Sequence, residues 1–181
     1  MPTSSPEFSA VLDFWFGMSD SDRWSQGKRL DPIIQTRFSA VHRAAAIGES
    51  WEWRRSPAGR LAEIIVLDQF SRHLYRNKPA AFANDPLALV LAQESVGAGA
   101  DKTVDIEKRQ YFYMPFMHSE SAKIHASAAK LFAQLPSNVK YAERHRAIID
   151  RFGRYPHRNA ILGRVSTPEE IEFLKTPGSS F

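Results

Sequence analysis

Residues 56–75, Ser56-Pro57-Ala58-Gly59-Arg60-Leu61-Ala62-Glu63-Ile64-Ile65-Val66-Leu67-Asp68-Gln69-Phe70-Ser71-Arg72-His73-Leu74-Tyr75, read as one long helix. Ser56 can accept a hydrogen bond from a helix start, and Pro57 suits the first helical position, where its missing amide proton costs nothing. At about 100° per residue, Leu61, Ile64, Ile65, Asp68 and Arg72 fall on one face, with Val66, Leu67, Phe70 and Leu74 on the other. A helix apolar nearly all round is expected at the centre of its fold. Asp68 and Arg72 stand four apart and can pair, and a lone buried charge is very costly, so both are expected to have partners. They fit either a buried ion pair that fixes helix packing or a carboxylate and a guanidinium lining a cleft. Gln69 and His73, also four apart, either extend this polar patch or face solvent.

Outward from this segment the punctuation stays helical. Ser5-Pro6 opens a first helix carrying Phe8, Val11, Leu12, Trp15 and Phe16, closed by Gly17. Asp31-Pro32 starts a second, with Ile34, Phe38, Val41 and Ala45 on one face and Gly48 at its end. Asp85-Pro86 starts a fourth, and Asp105 caps a fifth, which Met114-Pro115 is expected to kink or interrupt. A sixth is expected from Phe116 to Leu135 and a seventh from Asn138 to Phe152, with Gly153 after its end. Thr167-Pro168-Glu169-Glu170 reads as a capping box opening a short last helix. No segment alternates like a strand between hairpin turns. The fold class is all-α, with about seven to eight helices. Periodicity alone leaves a bundle and a solenoid equally open, and no repeat of about 34 residues is visible.

The 181 residues are 43% hydrophobic and 24% charged, include twelve Phe, five Tyr and four Trp, and carry a net charge of +4. That length and aromatic content predict one domain over residues 1–181, with one main core. The absence of cysteine excludes disulfides, thiol nucleophiles and thiolate-held metals, and fits a reducing, cytoplasmic setting. Residues 1–7 have neither a basic start nor a long apolar run, so no secretory signal is expected. The longest apolar stretches fall far short of the ~20 residues of a membrane span.

Charge is unevenly placed. Residues 140–164 hold seven basic and two acidic side chains, a balance of +5, which leaves −1 for the rest of the chain. Within them Arg151-Phe152-Gly153-Arg154-Tyr155-Pro156-His157-Arg158-Asn159, continuing to Gly163-Arg164, offers four arginines and a histidine on a loop after a helix end. Its arginines can clamp a carboxylate or phosphate, or simply complement the helix dipole. Tyr141, Phe152 and Tyr155 are interleaved with the basic residues, but Phe152 belongs to an apolar helix face and the stretch is short, so nucleic acid is not the expected partner.

His118 and Glu120 follow the proline break, and Glu120 is expected to interrupt an apolar stripe of Met117, Ile124 and Leu131. A histidine with a nearby carboxylate is suited to acid–base chemistry, which makes these two the catalytic candidates. The competing reading pairs Glu120 with an arginine and packs His118. His145 reads as a core histidine. No metal site is expected: His118 and His125 lie about 10 Å apart along a helix, and no metal, phosphate-loop, dinucleotide or nucleophile-elbow motif is present.

Three strings, Leu67-Asp68-Gln69-Phe70-Ser71-Arg72, residues 112–120 (Phe-Tyr-Met-Pro-Phe-Met-His-Ser-Glu) and residues 151–159 (Arg-Phe-Gly-Arg-Tyr-Pro-His-Arg-Asn), resemble the signature segments of the bacterial domain-of-unknown-function family 924. Val11-Leu12-Asp13-Phe14-Trp15-Phe16-Gly17 and Ile161-Leu162-Gly163-Arg164 are similar to it too. The chain departs from the family pattern at Ser71, where proline is frequent, and at Trp24-Ser25, where an aromatic often follows the tryptophan. The resemblance implies a tetratricopeptide-like fold of stacked helix pairs. It lends no catalytic role and no cofactor.

The expected function is binding of a small anionic ligand, a phosphate or carboxylate, in a polar cleft formed by Asp68, Arg72, Arg154, His157 and Arg158, with His118 and Glu120 as acid–base candidates. The alternative is a helical scaffold that grips an acidic peptide on a concave face.

Overall fold

The computed structural model describes residues 7–19, 23 and 27–180. The expected cap at Ser5-Pro6 and the Trp24-Ser25 pair lie outside them. Among the described residues there are nine helices and no strand, counting residues 57–74 as one continuous helix. The fold is all-α. No helix among these residues is long and apolar enough to cross a membrane.

Two compact units emerge, Met1–Arg76 with Ala80–Pro115, and Asn77–Pro79 with Phe116–Phe181. The first holds α1 (Glu7–Phe16), α2 (Gly27–Ala46), α3 (Pro57–Ile65), α4 (Ser71–Leu74) and α5 (Asp85–Gly97), and most of α6 (Ile106–His118). Ser56 caps α3 by accepting the Gly59 amide, with Pro57 in the first turn, as its sequence predicts. Between α3 and α4 the chain makes a π-helical turn, Val66–Phe70. A π turn takes in an extra residue and shifts the helical register. As expected of a helix apolar nearly all round, every residue from 61 to 71 is buried, Asp68 and Gln69 included. Around this helix, α1 packs on α3 and α2 on α4. Phe70 meets Trp15, Phe14 and Phe38 at ring separations of 5.6, 6.2 and 5.1 Å.

Two prolines behave differently from expectation. Pro32 lies inside α2, which begins at Gly27, so Asp31 is not a helix start. Pro115 lies inside α6, which runs on to His118 without interruption. A proline removes one hydrogen bond and crowds the preceding turn, yet here tertiary packing keeps both helices going.

The second unit contains α7 (Ala122–Phe132), α8 (Val139–Phe152), α9 (Asn159–Leu162) and α10 (Pro168–Leu174). The sixth expected helix thus starts at Ala122 rather than Phe116, because Ser121 caps it by accepting the Ile124 amide. Gly153 ends α8 with φ 68°, its amide on the Ile149 carbonyl. Thr167 and Glu170 form the predicted capping box at α10. Ile148, Ile149 and Tyr155 form a buried cluster edged by Phe152 and Phe173.

Candidate functional site

The short connection between α6 and α7 sets the position of Glu120, which lies in that loop and not on an apolar helix stripe. Its carboxylate accepts both ends of the Arg164 guanidinium fork, at 2.6 and 2.9 Å, and the Tyr155 amide at 2.7 Å. Burial pushes the Glu120 carboxyl up, but the Arg164 fork, the Tyr155 amide and the charge of Arg158 outweigh it and hold the group below its ordinary range. Among the described residues Glu120 makes no hydrogen bond to His118, so the two do not meet as an acid–base couple. The arginine partner foreseen as the competing reading is present, and it is Arg164.

Tyr155 is the hub of this unit. It is 1% exposed, its hydroxyl donates to the Met117 carbonyl at 2.5 Å, and its ring is 5.8 Å from His145 and 5.5 Å from His157. The Arg158 guanidinium lies 4.7 Å above that ring and donates to the His118 carbonyl. His125 Nε2 lies 2.9 Å from the Ser119 carbonyl, which can only accept, so this nitrogen carries the ring proton. Burial lowers His125, and burial with its histidine neighbours pushes His145 down to about 3. Both are neutral packing residues.

Arg154 grips Glu170 through a second fork, at 2.6 and 2.8 Å, and also donates to the Val165 carbonyl. The Arg154 hydrogen bonds, with the Thr167 amide, outweigh burial and hold Glu170 down to about 2. Asn159 joins the two forks, donating to Glu170 and accepting from Arg164. The outcome is one continuous network, Glu120–Arg164–Asn159–Glu170–Arg154, which takes in two of the basic segment's seven cationic side chains.

Asp68 and Arg72 belong to the first unit. Arg72 reaches Asp68 at 3.3 Å and the Asp68 backbone carbonyl, while its fork engages Asp85 at 3.0 and 3.2 Å. Asp85, read from sequence only as a helix start, is a principal partner. Gln69 turns inward and donates to Asp68 at 2.5 Å, so it extends the polar patch. His73 faces Asp31 at 2.9 Å, and Arg76 forks the same carboxylate at 2.6 and 2.7 Å. Burial works to raise Asp31, but Arg76 and His73 lower it below its ordinary range.

A groove in the first unit went unread in the sequence. About 530 Å³ in volume, it is walled by Ala40, Ala44, Ala46, Ala80 and Ala83, with the Tyr75 ring beside them. His42 lines it while only 2% exposed, its ring 5.4 Å from that of Tyr75. Ser71 Oγ donates its one proton to the Leu67 carbonyl at 2.6 Å, so the 2.8 Å contact to His42 Nε2 requires that nitrogen to be protonated. His42 Nδ1 is then a bare acceptor, and it is buried without a hydrogen bond. Burial, reinforced by the Arg43 charge, lowers this histidine. The rim carries Arg43 and Glu49, both exposed. Among the described residues neither forms an ion pair. The signal available in the sequence was the run of small residues beside His42-Arg43, which leaves room where a longer side chain would fill it.

A family model described as "Bacterial protein of unknown function (DUF924)" matches residues 11–178, a span that includes both networks and the groove. The chain belongs to this family. A solved structure, a protein of unknown function from Agrobacterium tumefaciens, is 36% identical and aligns over 93% of this chain and 96% of its own, with a TM-score of 0.90. No curated protein matches. The DUF924 fold is therefore common to both chains over nearly their whole lengths.

Proposed function

We propose that this DUF924 protein binds a small anionic molecule, a carboxylate or phosphate, in the groove beside His42, with Arg43 receiving the anion. The observation that carries the reading is the contrast between guanidinium groups. Arg154 and Arg164 are occupied by Glu170 and Glu120, and Arg72 by Asp85, whereas Arg43 opens onto the groove and, among the described residues, forms no ion pair, even though Glu49 lines the same groove. A guanidinium without an internal partner can offer its whole fork to a ligand. A concave site of this volume suits a small molecule, and its alanine wall and Tyr75 supply apolar contact. On this reading Asp68 and Arg72 hold the fold of the first unit, Arg154, His157 and Arg158 that of the second, and none of them is a ligand contact. The proposal invokes no bond-making step by His118 or Glu120.

The test is thermal unfolding against a panel of phosphates and carboxylates. A ligand at 100 times its dissociation constant adds about 2.7 kcal/mol, which for a chain of this size raises Tm by roughly 5–11 °C. The shift is expected in the wild type and in Arg158→Gln, and is expected to vanish in Arg43→Gln. A shift that survives Arg43→Gln and disappears in Arg158→Gln would move the site to the second unit and sink the groove reading.

A further inference from the structure

The end of α2 is built in a way that anion binding alone does not explain. Gly48 takes φ +84°, and the chain closes with Gly48 N on the Ala45 carbonyl at 3.0 Å and Glu49 N on the Ala44 carbonyl at 2.9 Å. This is the Schellman pattern, with a left-handed glycine and a reversed hydrogen bond to the residue after it. It fixes the Glu49 backbone rigidly over the last turn of the helix. A carboxylate is the wrong charge there, because the carbonyl end of a helix already carries a partial negative charge and favours cations. Glu49 is not offset by an ion pair among the described residues. It lines the same groove as Arg43, which lies in the last turn of α2, six residues earlier.

The groove therefore has two charged poles. Arg43 provides the positive one. Glu49, at the partially negative carbonyl end of α2, provides the negative one. The lining also includes the alanine wall, the exposed side chain of Ile47, the Tyr75 ring and the polar side chains of His42 and Asn84. We infer that the groove selects a zwitterion with an apolar body, an α-amino acid with a non-polar side chain being the simplest, with its carboxylate at Arg43 and its ammonium at Glu49. This inference rests on the groove being the binding site. It adds that Glu49 is a specificity-determining residue.

The experiment is calorimetric titration of the full chain with valine, leucine and phenylalanine. Phenylalanine is compared with 3-phenylpropionate, which lacks the ammonium, and 2-phenylethylamine, which lacks the carboxylate. Wild type is expected to bind phenylalanine at least tenfold more tightly than either analogue, a difference of about 1.4 kcal/mol. Glu49→Gln should erase the preference over 3-phenylpropionate, and Arg43→Gln the preference over 2-phenylethylamine. Both side chains are exposed, and unchanged Tm values for the two variants would show that folding is intact. If 3-phenylpropionate binds wild type as tightly as phenylalanine and is lost in Arg43→Gln, the zwitterion inference fails while the anion site stands. If no amino acid binds, the zwitterion inference fails. If no anion of any kind binds, both readings fail.

Discussion

Glu120 illustrates how one side chain can be placed by several partners distant in sequence. Its two oxygens are shared among Arg164 and the Tyr155 amide, 44 and 35 residues away. Replacing it by glutamine keeps the shape and removes the charge, so the Arg164 fork loses a charge-assisted acceptor. We expect Glu120→Gln to lower unfolding stability by about 1.5–3 kcal/mol, the range for hydrogen bonds to charged groups, as measured by urea unfolding. A change within about 0.5 kcal/mol, the usual spread for neutral surface substitutions, would show that the network is ornamental. The pairing of Glu120 with an arginine was foreseen as one of two readings, but its partner was not, because spacing along a chain does not report which loop returns to meet it.

At the scale of elements, the glycine with least room for a side chain among those described is Gly59 in α3. A β-carbon built there would sit 2.1 Å from the Trp53 carbonyl oxygen and 2.8 Å from its carbon. The obstacle is backbone, in the short 3-10 turn Trp51–Arg55, and cannot swing away as a side chain can. Gly59→Ala should therefore destabilise by about 3 kcal/mol, the upper end of overpacking costs. A Tm within 2 °C of wild type would contradict this. Local signals were legible where the chemistry is local. Ser56-Pro57, Thr167-Pro168 with Glu170, and Gly153 each mark a helix end that the structure reproduces. The failures have non-local causes. Pro32 and Pro115 read as breaks because an isolated helix would break there, and the surrounding packing overrides that cost. The burial of Asp68 was legible from its place on an apolar face, whereas the π turn at Val66–Phe70, which changes the register and not the composition, was not. The groove beside His42 was invisible because it is made by what alanines leave unfilled.

Over the whole molecule, acid should act through three buried histidines, His42 in the first unit and His125 and His145 in the second. Each has a folded pKa lowered from the ordinary 6.5, so each stays neutral in the folded state as the unfolded chain takes up protons. The unfolded state then binds more protons, and stability rises with pH in that window. It is fully present above 6.5 and falls below it, by up to about 1.4 kcal/mol per pH unit for each histidine. Glu120, Glu170 and Asp31 act in the same direction lower down, since their lowered pKa values stabilise the fold above the ordinary carboxylate range and the benefit is lost as pH falls below it. Urea unfolding from pH 8 to pH 5 should give a plateau followed by a decline that begins near 6.5. A flat profile down to pH 5 would mean that these rings gain protons without unfolding.

The double duty of Glu170 has a kinetic side. The same carboxylate accepts from the Thr167 amide at the start of α10, from Arg154 beyond the end of α8, and from Asn159 between them. Fraying of the last helix therefore releases Arg154 and slackens Asn159, and through Asn159 the Arg164 fork that holds Glu120. A terminal helix normally opens alone and often. Here it shares hydrogen bonds with the loop it leans on, so hydrogen exchange is expected to show the amides of Thr167 and Tyr155 opening as one cooperative unit although twelve residues separate them.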